Sequence, residues 1–176
     1  DVISMHQSGV KNVVASSGTS LTPGQIRMIR RFTNNITVLY DGDRAGIKAS
    51  IRGIDMLLAE GMNVKVLLLP DGDDPDSFAR KHNAKEYREY IDSHQTDFIR
   101  FKTRLFMEDS ADDPVSRASL IDNIVRSIAL IPDKILRSMY IKECSQTMNV
   151  EESLLLDAVA KVKREKIMER RREEER

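Results

Sequence analysis

Two largely apolar runs, ITVLY at 36–40 and NVKVLLLP at 63–70, constrain this chain more than any other feature, because they are continuous rather than regularly alternating with polar residues. Runs of that kind belong to strands covered on both faces. Between them Ile47, Ile51, Ile54 and Leu58 recur at helical spacing until Gly61 stops the pattern. A strand, a helix and a second strand at this spacing predict a right-handed crossover and a parallel pair. The β-branched run KNVVAS at 11–16 is expected to add a further strand, and VISMHQS at 2–8 is expected to be the tail of a helix capped by Gly9. Thr22, Pro23 and Gln25 form a capping-box pattern, with Ile26, Ile29 and Phe32 placed on one face of the helix that follows. The expected fold class is therefore α/β, a parallel sheet with flanking helices.

Beyond residue 83 strand signals stop, and a small all-α module is expected. Its stripes are Phe98, Phe101 and Leu105; Leu120, Ile124 and Ile128; Ile135 with Met139 and Leu136 with Tyr140; and Leu155, Val159 and Val162. SADDP at 110–114 and Pro132 mark loops, and Asn149 is expected to cap a helix with Glu152 reaching back. The predicted organisation is an α/β domain over 1–82, a helical subdomain over 83–165 and a charged tail or linker over 166–176. Of 176 residues, 28 are basic and 28 acidic, so nucleic-acid or membrane binding has to come from local patches. Aromatic residues make up 5%, with no Trp, which leaves little material for a base-stacking platform. The single Cys144 cannot form an internal disulfide, and no signal-peptide pattern or membrane-length apolar run occurs. A cytoplasmic protein without membrane contact is expected, and the start at Asp1 without Met suggests a piece of a longer chain.

The chemistry concentrates in acids placed at strand ends. Asp41 and Asp43 in DGD follow the first run, and Asp71, Asp73, Asp74 and Asp76 in DGDDPD follow the second. Ligands of open α/β sheets bind beyond the carboxyl ends of strands. If the two strands are neighbours, carboxylates converge there, and their repulsion calls for a cation. Oxygen ligands without His or Cys point to Mg²⁺ or Mn²⁺, and so to phosphoryl or nucleotidyl transfer. A lone DGD is more often a turn; two acidic clusters at strand ends outweigh that. SSGTS, with the hydroxyls of Ser17 and Thr19, could cradle an anion or could be a plain loop. Arg44, Lys48 and Arg52 recur every four residues beside the first pair, placed either to contact phosphates or to pair with acids on a solvated face. His6, His82 and His94 have no ligand spacing.

DGDRAGIKAS and LLLPDGDDPDSF resemble the Toprim fold of primases, topoisomerases and some nucleases. With DVISMHQSGVKNVVASSGTSLT, they resemble more closely the RNA polymerase catalytic core of bacterial replicative DNA primases, and IALIPDKILRSMYIKECSQTMNVEESLLL resembles the helical subdomain after that family's Toprim domain. The resemblance implies that Asp41 and Asp43 are the family's DxD metal pair, that Asp74 and Asp76 are its second acidic pair, and that Asp71 is a nearby candidate. Asp1 matches the aspartate closing the family's EGYMD motif, whose glutamate and strand would lie upstream of residue 1. The resemblance thus implies Mg²⁺- or Mn²⁺-dependent synthesis of RNA primers on a single-stranded DNA template from ribonucleoside triphosphates. It also implies a replicative helicase as partner, through an absent carboxy-terminal domain, and little activity from this chain alone.

Two alternatives stand beside that expectation. A topoisomerase or nuclease fragment would share DGD, but a topoisomerase needs a nucleophilic tyrosine. Tyr40 falls in a buried strand, and Tyr87, Tyr90 and Tyr140 fall on helical patterns. The other alternative is a non-catalytic nucleotide-binding module.

Overall fold

The computed structural model describes residues 1–16, 21–41, 44–70, 72–109 and 113–175, with the side chains of 44–46, 48–50 and 52 left out of the description. Two compact units divide the chain, Asp1–Phe98 and Ile99–Arg176. The first contains α1 (Val2–Gln7), α2 (Pro23–Arg30), β1 (Asn35–Tyr40), α3 (Arg44–Ala59), β2 (Asn63–Leu68), α4 (Pro75–Lys81), α5 (Ala84–His94) and β3 (Thr96–Asp97).

β1 and β2 pair in parallel, joined by α3, with Tyr40 opposite Leu68 at the carboxyl end. The expected stripe of α3 holds: Ile47, Ile51, Ile54 and Leu58 are all buried. Each contributes about 1.5–3 kcal/mol by leaving water. Gly61, at φ +77°, supplies the left-handed stop. On β2, Val64, Val66 and Leu67 are buried; β1, an edge of the described sheet, has Ile36–Tyr40 only half-buried because one neighbouring strand covers it rather than two.

The sheet departs from expectation in two places. Its third strand is β3, antiparallel to β2, which makes the sheet mixed. KNVVAS forms no strand; Val13 packs against the core while Val14 is exposed. A β-branched run signals burial of alternate side chains, and pairing is a separate event. The α/β unit also outruns the expected boundary at 82, since β3 pairs with β2 and α5 delivers Tyr87, Tyr90 and Ile91 to a core containing Met5, Leu69 and Phe78. α1 ends near Gly9 as expected. Gly9 has φ +87°, and a Cβ there would meet the Cβ of Ala84 at 3.0 Å. The Thr22 capping box forms, and Ile26 is buried, but Phe32 lies past the end of α2 and is 86% exposed.

Within that core Phe78 stacks on His82 at 4.0 Å between ring centroids and meets Tyr87 edge-on at 5.0 Å. The Tyr87 hydroxyl is buried without a hydrogen-bond partner among the described residues. A buried unsatisfied hydroxyl costs about 1–3 kcal/mol. Tyr87→Phe is therefore expected to raise the melting temperature; a fall of several degrees in a thermal melt would contradict the assignment.

The second unit is helical: α6 (Phe98–Asp109), whose first residue closes the first unit, then α7 (Pro114–Leu130), α8 (Lys134–Met148) and α9 (Glu152–Glu174). Leu120, Ile124 and Ile128 on α7 and Leu155, Val159 and Val162 on α9 are buried as expected. On α8 the expected stripe is displaced. Ile135 and Met139 are exposed and Leu136 and Tyr140 half-buried, while Arg137, Ile141, Cys144 and Met148 face inward. Arg137 can be buried because its guanidinium donates to the carbonyls of Ile131 and Pro132. Asn149 does not start α9: at φ 50° it ends α8 in the left-handed conformation that Asn tolerates, and Glu151 precedes α9 without a side-chain cap. The expected tail from 166 continues α9 as a solvated helix. Among the described residues no helix is long and apolar enough to cross a membrane.

Asp113 caps α7 by accepting from the Ser116 backbone N–H at 2.9 Å, and this bond holds its carboxyl below the ordinary range, aided by the Ser116 hydroxyl. The folded form favours the charged carboxylate, so its stabilisation is present above the unfolded value of about 4 and is lost as pH falls through the lower folded value. Asp113→Ala is accordingly expected to lower the melting temperature of the helical unit at pH 7, with the gap from the unmodified protein narrowing as pH falls below about 4. A constant offset across that range would exclude the charged cap.

Candidate metal centre

Parallel register decides which loops meet. Tyr40 and Leu68 face each other at the end of the ladder, and the Leu69 N–H donates to the Tyr40 carbonyl at 3.1 Å. Asp41 follows Tyr40 directly, and the second acidic loop opens at Pro70. Both therefore leave the same sheet edge side by side, the carboxyl edge where such folds bind ligands.

Asp41 is exposed. Tyr40 before it is half-buried, and burial pushes its phenol up to about 12. In the second loop Gly72 has φ +82°, a left-handed turn, and the Asp73 N–H closes back on the Pro70 carbonyl at 3.0 Å. Asp74 is the N-cap of α4. Its Oδ1 accepts from the Ser77 N–H at 2.7 Å, and the Ser77 hydroxyl accepts from the Asp74 N–H at 3.0 Å. The Ser77 backbone bond holds the Asp74 carboxyl below the usual range. Asp76, in the first turn of α4, accepts from the Ser4 hydroxyl with Oδ1 and pairs with Arg80 at 2.8 Å through Oδ2.

The structure thus brings Asp74 and Asp76 together at the start of α4, on the edge that carries Asp41. Among the described residues no three carboxylates, imidazoles or thiols are close enough to hold one ion. Asp43 and Asp71, like Ser17 and Thr19, lie outside the described residues. Arg44, Lys48 and Arg52 belong to α3, which begins just after the DGD loop; their side chains lie outside the description. Asp1 precedes α1 as its N-cap residue and makes no side-chain cap bond.

The roles of Asp73, Ser77, Lys81 and Tyr90 in this neighbourhood were not legible in the sequence, although Asp73 was placed in the acidic cluster and Tyr90 on a helical pattern. Asp73 is buried and receives Lys81 at 2.6 Å and the Ser77 hydroxyl at 2.8 Å. Lys81, and after it Ser77, hold its carboxyl well below the ordinary range. Tyr90 donates its hydroxyl to the Leu68 carbonyl at 3.0 Å and secures the end of β2. The available signal was the string Asp74-Pro75-Asp76-Ser77, an N-cap with Pro at the first helical position.

A family described as Toprim-like matches residues 1–79, and one described as the DnaB-helicase binding domain of primase matches 100–153. The DNA primase of Halalkalibacterium halodurans is 36% identical over 160 residues, which cover 90% of this chain and 26% of that protein. The Escherichia coli primase catalytic core superposes with a TM-score of 0.75 at 29% identity, covering 85% of this chain and 49% of that one. A DnaG primase catalytic domain bound to single-stranded DNA gives 0.72 at 30% identity, covering 82% and 48%. The chain therefore spans about a quarter of the length of the curated relatives it matches and about half of the solved cores. These matches favour a primase over another Toprim enzyme.

Proposed function

From the premise that this chain is a fragment of a bacterial-type DNA primase, carrying Toprim-like and helical parts of the catalytic core, we propose that it supplies the metal-binding portion of a DNA-directed RNA polymerase. The observation that carries the reading is the parallel register that sets both acidic loops on one sheet edge. The donor set fits a hard divalent cation, since it consists of carboxylate oxygens with no thiol or imidazole among the proposed ligands.

Asp41, Asp43, Asp74 and Asp76 would hold Mg²⁺ or Mn²⁺, with Asp71 beside them. Bound there, the ion supplies charge neutralisation for a ribonucleoside triphosphate. The chain's own residues do the positioning. The Asp74 cap fixes one carboxylate relative to α4, and Arg44, Lys48 and Arg52 on α3 offer cations for the phosphates of template or nucleotide. Ser17, Thr19 and Asp1 are proposed as further nucleotide or DNA contacts. In the reaction, the 3′-hydroxyl of the growing RNA primer attacks the α-phosphate in line, and pyrophosphate leaves.

Single-stranded DNA is the proposed template, supported by the DNA-bound relative, and cytoplasmic replication is the proposed setting. A replicative helicase is the proposed partner. The family description attached to 100–153 supports such a contact from the helical unit itself, where sequence reading assigned it to an absent carboxy-terminal domain. The test is ribonucleotide incorporation by the intact enzyme on single-stranded DNA with Mg²⁺. Short RNA products are expected. Nicking of supercoiled DNA without primer synthesis would transfer the chain to the Toprim nucleases or topoisomerases.

A further inference from the structure

The sequence presents the aspartates of DGDDPD as equivalent; the structure separates them. Asp73 is 7% exposed and is the one buried carboxylate among the described residues, whereas Asp74 is exposed and Asp76 half-buried. Burying a carboxylate is unfavourable unless it is paired and hydrogen-bonded. Asp73 has both, and both partners reach the same oxygen: Lys81 Nζ at 2.6 Å and the Ser77 hydroxyl at 2.8 Å meet at Oδ1.

We infer that Asp73 and Ser77 are positioning residues for the proposed metal ligand Asp74, with Lys81 as the counter-cation that keeps Asp73 turned inward. The coupling is explicit in the hydrogen bonds. A hydroxyl has one proton to give; Ser77 Oγ lies 2.8 Å from Asp73 Oδ1 and 3.2 Å from the Asp74 carbonyl, and the shorter, charged acceptor takes it, which leaves the hydroxyl's lone pairs to accept from the Asp74 N–H at 3.0 Å. Ser77 returns its own backbone N–H to Asp74 Oδ1 at 2.7 Å. The Asp74 backbone and carboxylate are thereby tied to one serine, whose hydroxyl orientation is set by Asp73. The serine stands on a helix anchored in the core by its neighbour Phe78, and Tyr90 fixes the strand end before the loop. Outer groups that orient a ligand commonly change metal affinity 10- to 100-fold when removed.

This inference rests on the reading of Asp74 as a ligand, so its test carries a separate control for that reading. Mn²⁺ titrations followed by electron paramagnetic resonance are compared in the unmodified protein, Ser77→Ala, Ser77→Thr, Lys81→Met and Asp41→Asn. Ser77→Ala removes no charge and keeps the backbone cap on Asp74. It is expected to weaken Mn²⁺ about tenfold with little change in melting temperature, and Ser77→Thr, which keeps the hydroxyl, is expected to restore binding. Lys81 is 61% exposed, so Lys81→Met disturbs little packing, but it leaves buried Asp73 without its cation, and a thermal melt beside the titration checks that the variant is folded. Loss of a nearby cation by electrostatics alone would tighten Mn²⁺; loss of the positioning device is expected to weaken it. Unchanged affinity in Ser77→Ala, or tighter binding in Lys81→Met, with Asp41→Asn still impaired, would overturn the inference and leave the metal centre standing. Unchanged affinity in Asp41→Asn would remove the metal centre and this inference together.

Discussion

Asp41→Asn is expected to weaken Mn²⁺ binding by tenfold or more and to lower primer synthesis by the intact enzyme by roughly 10²–10³, the scale seen when one transition-state-stabilising group is removed. Its melting temperature is expected to hold or rise. Asp41 is exposed, and without metal its charge adds to the repulsion along an acidic edge. Isothermal titration calorimetry beside a thermal melt separates the two effects. A variant with lower melting temperature and unchanged Mn²⁺ affinity would make Asp41 a structural residue.

The largest stability effect is expected from Phe78→Ala. Phe78 is 1% exposed and touches His82, Tyr87 and Tyr90 through its ring. Emptying such a site costs about 3–5 kcal/mol, or roughly 15 °C or more in a unit of this size. Because α4 carries Asp76 and is capped by Asp74, the loss should extend to the acidic loop. Phe32→Ala is the contrast: at 86% exposure it is expected to change stability by about 0.5 kcal/mol or less. Similar urea midpoints for the two variants would contradict the assignment of Phe78 to the core.

These two aromatics show how far the sequence could be read. Both occur at helix-compatible spacing, and nothing in the string marks one as buried and the other as surface. Where several apolar residues share a period, as on α3 and α7, burial was legible, because a stripe of four can face only one way. Where two stripes competed, as with Ile135 and Met139 on α8, the choice depended on an arginine satisfying the carbonyls of Ile131 and Pro132, a tertiary contact that periodicity does not encode. Asn149 carried two local meanings, helix start and left-handed stop, and the stop prevailed.

The site was legible for a related reason. Acids at the ends of buried strands are a local pattern, and parallel pairing of β1 with β2 follows from the length of the crossover between them. The division of labour within DGDDPD was not legible. It depends on Lys81, ten residues beyond Asp71, returning along α4 to Asp73. The two-residue β3 was likewise too short to leave a pattern, and its pairing with β2 made the sheet mixed.

The central claim is that one divalent cation joins the loop at Asp41 to the loop at Asp74. Anomalous diffraction from a crystal of the protein soaked in Mn²⁺ measures this directly. A manganese peak within coordination distance of Asp41 and of an aspartate in 71–76 is the predicted result; fully ordered loops turned away from each other, with no peak at either, would contradict it.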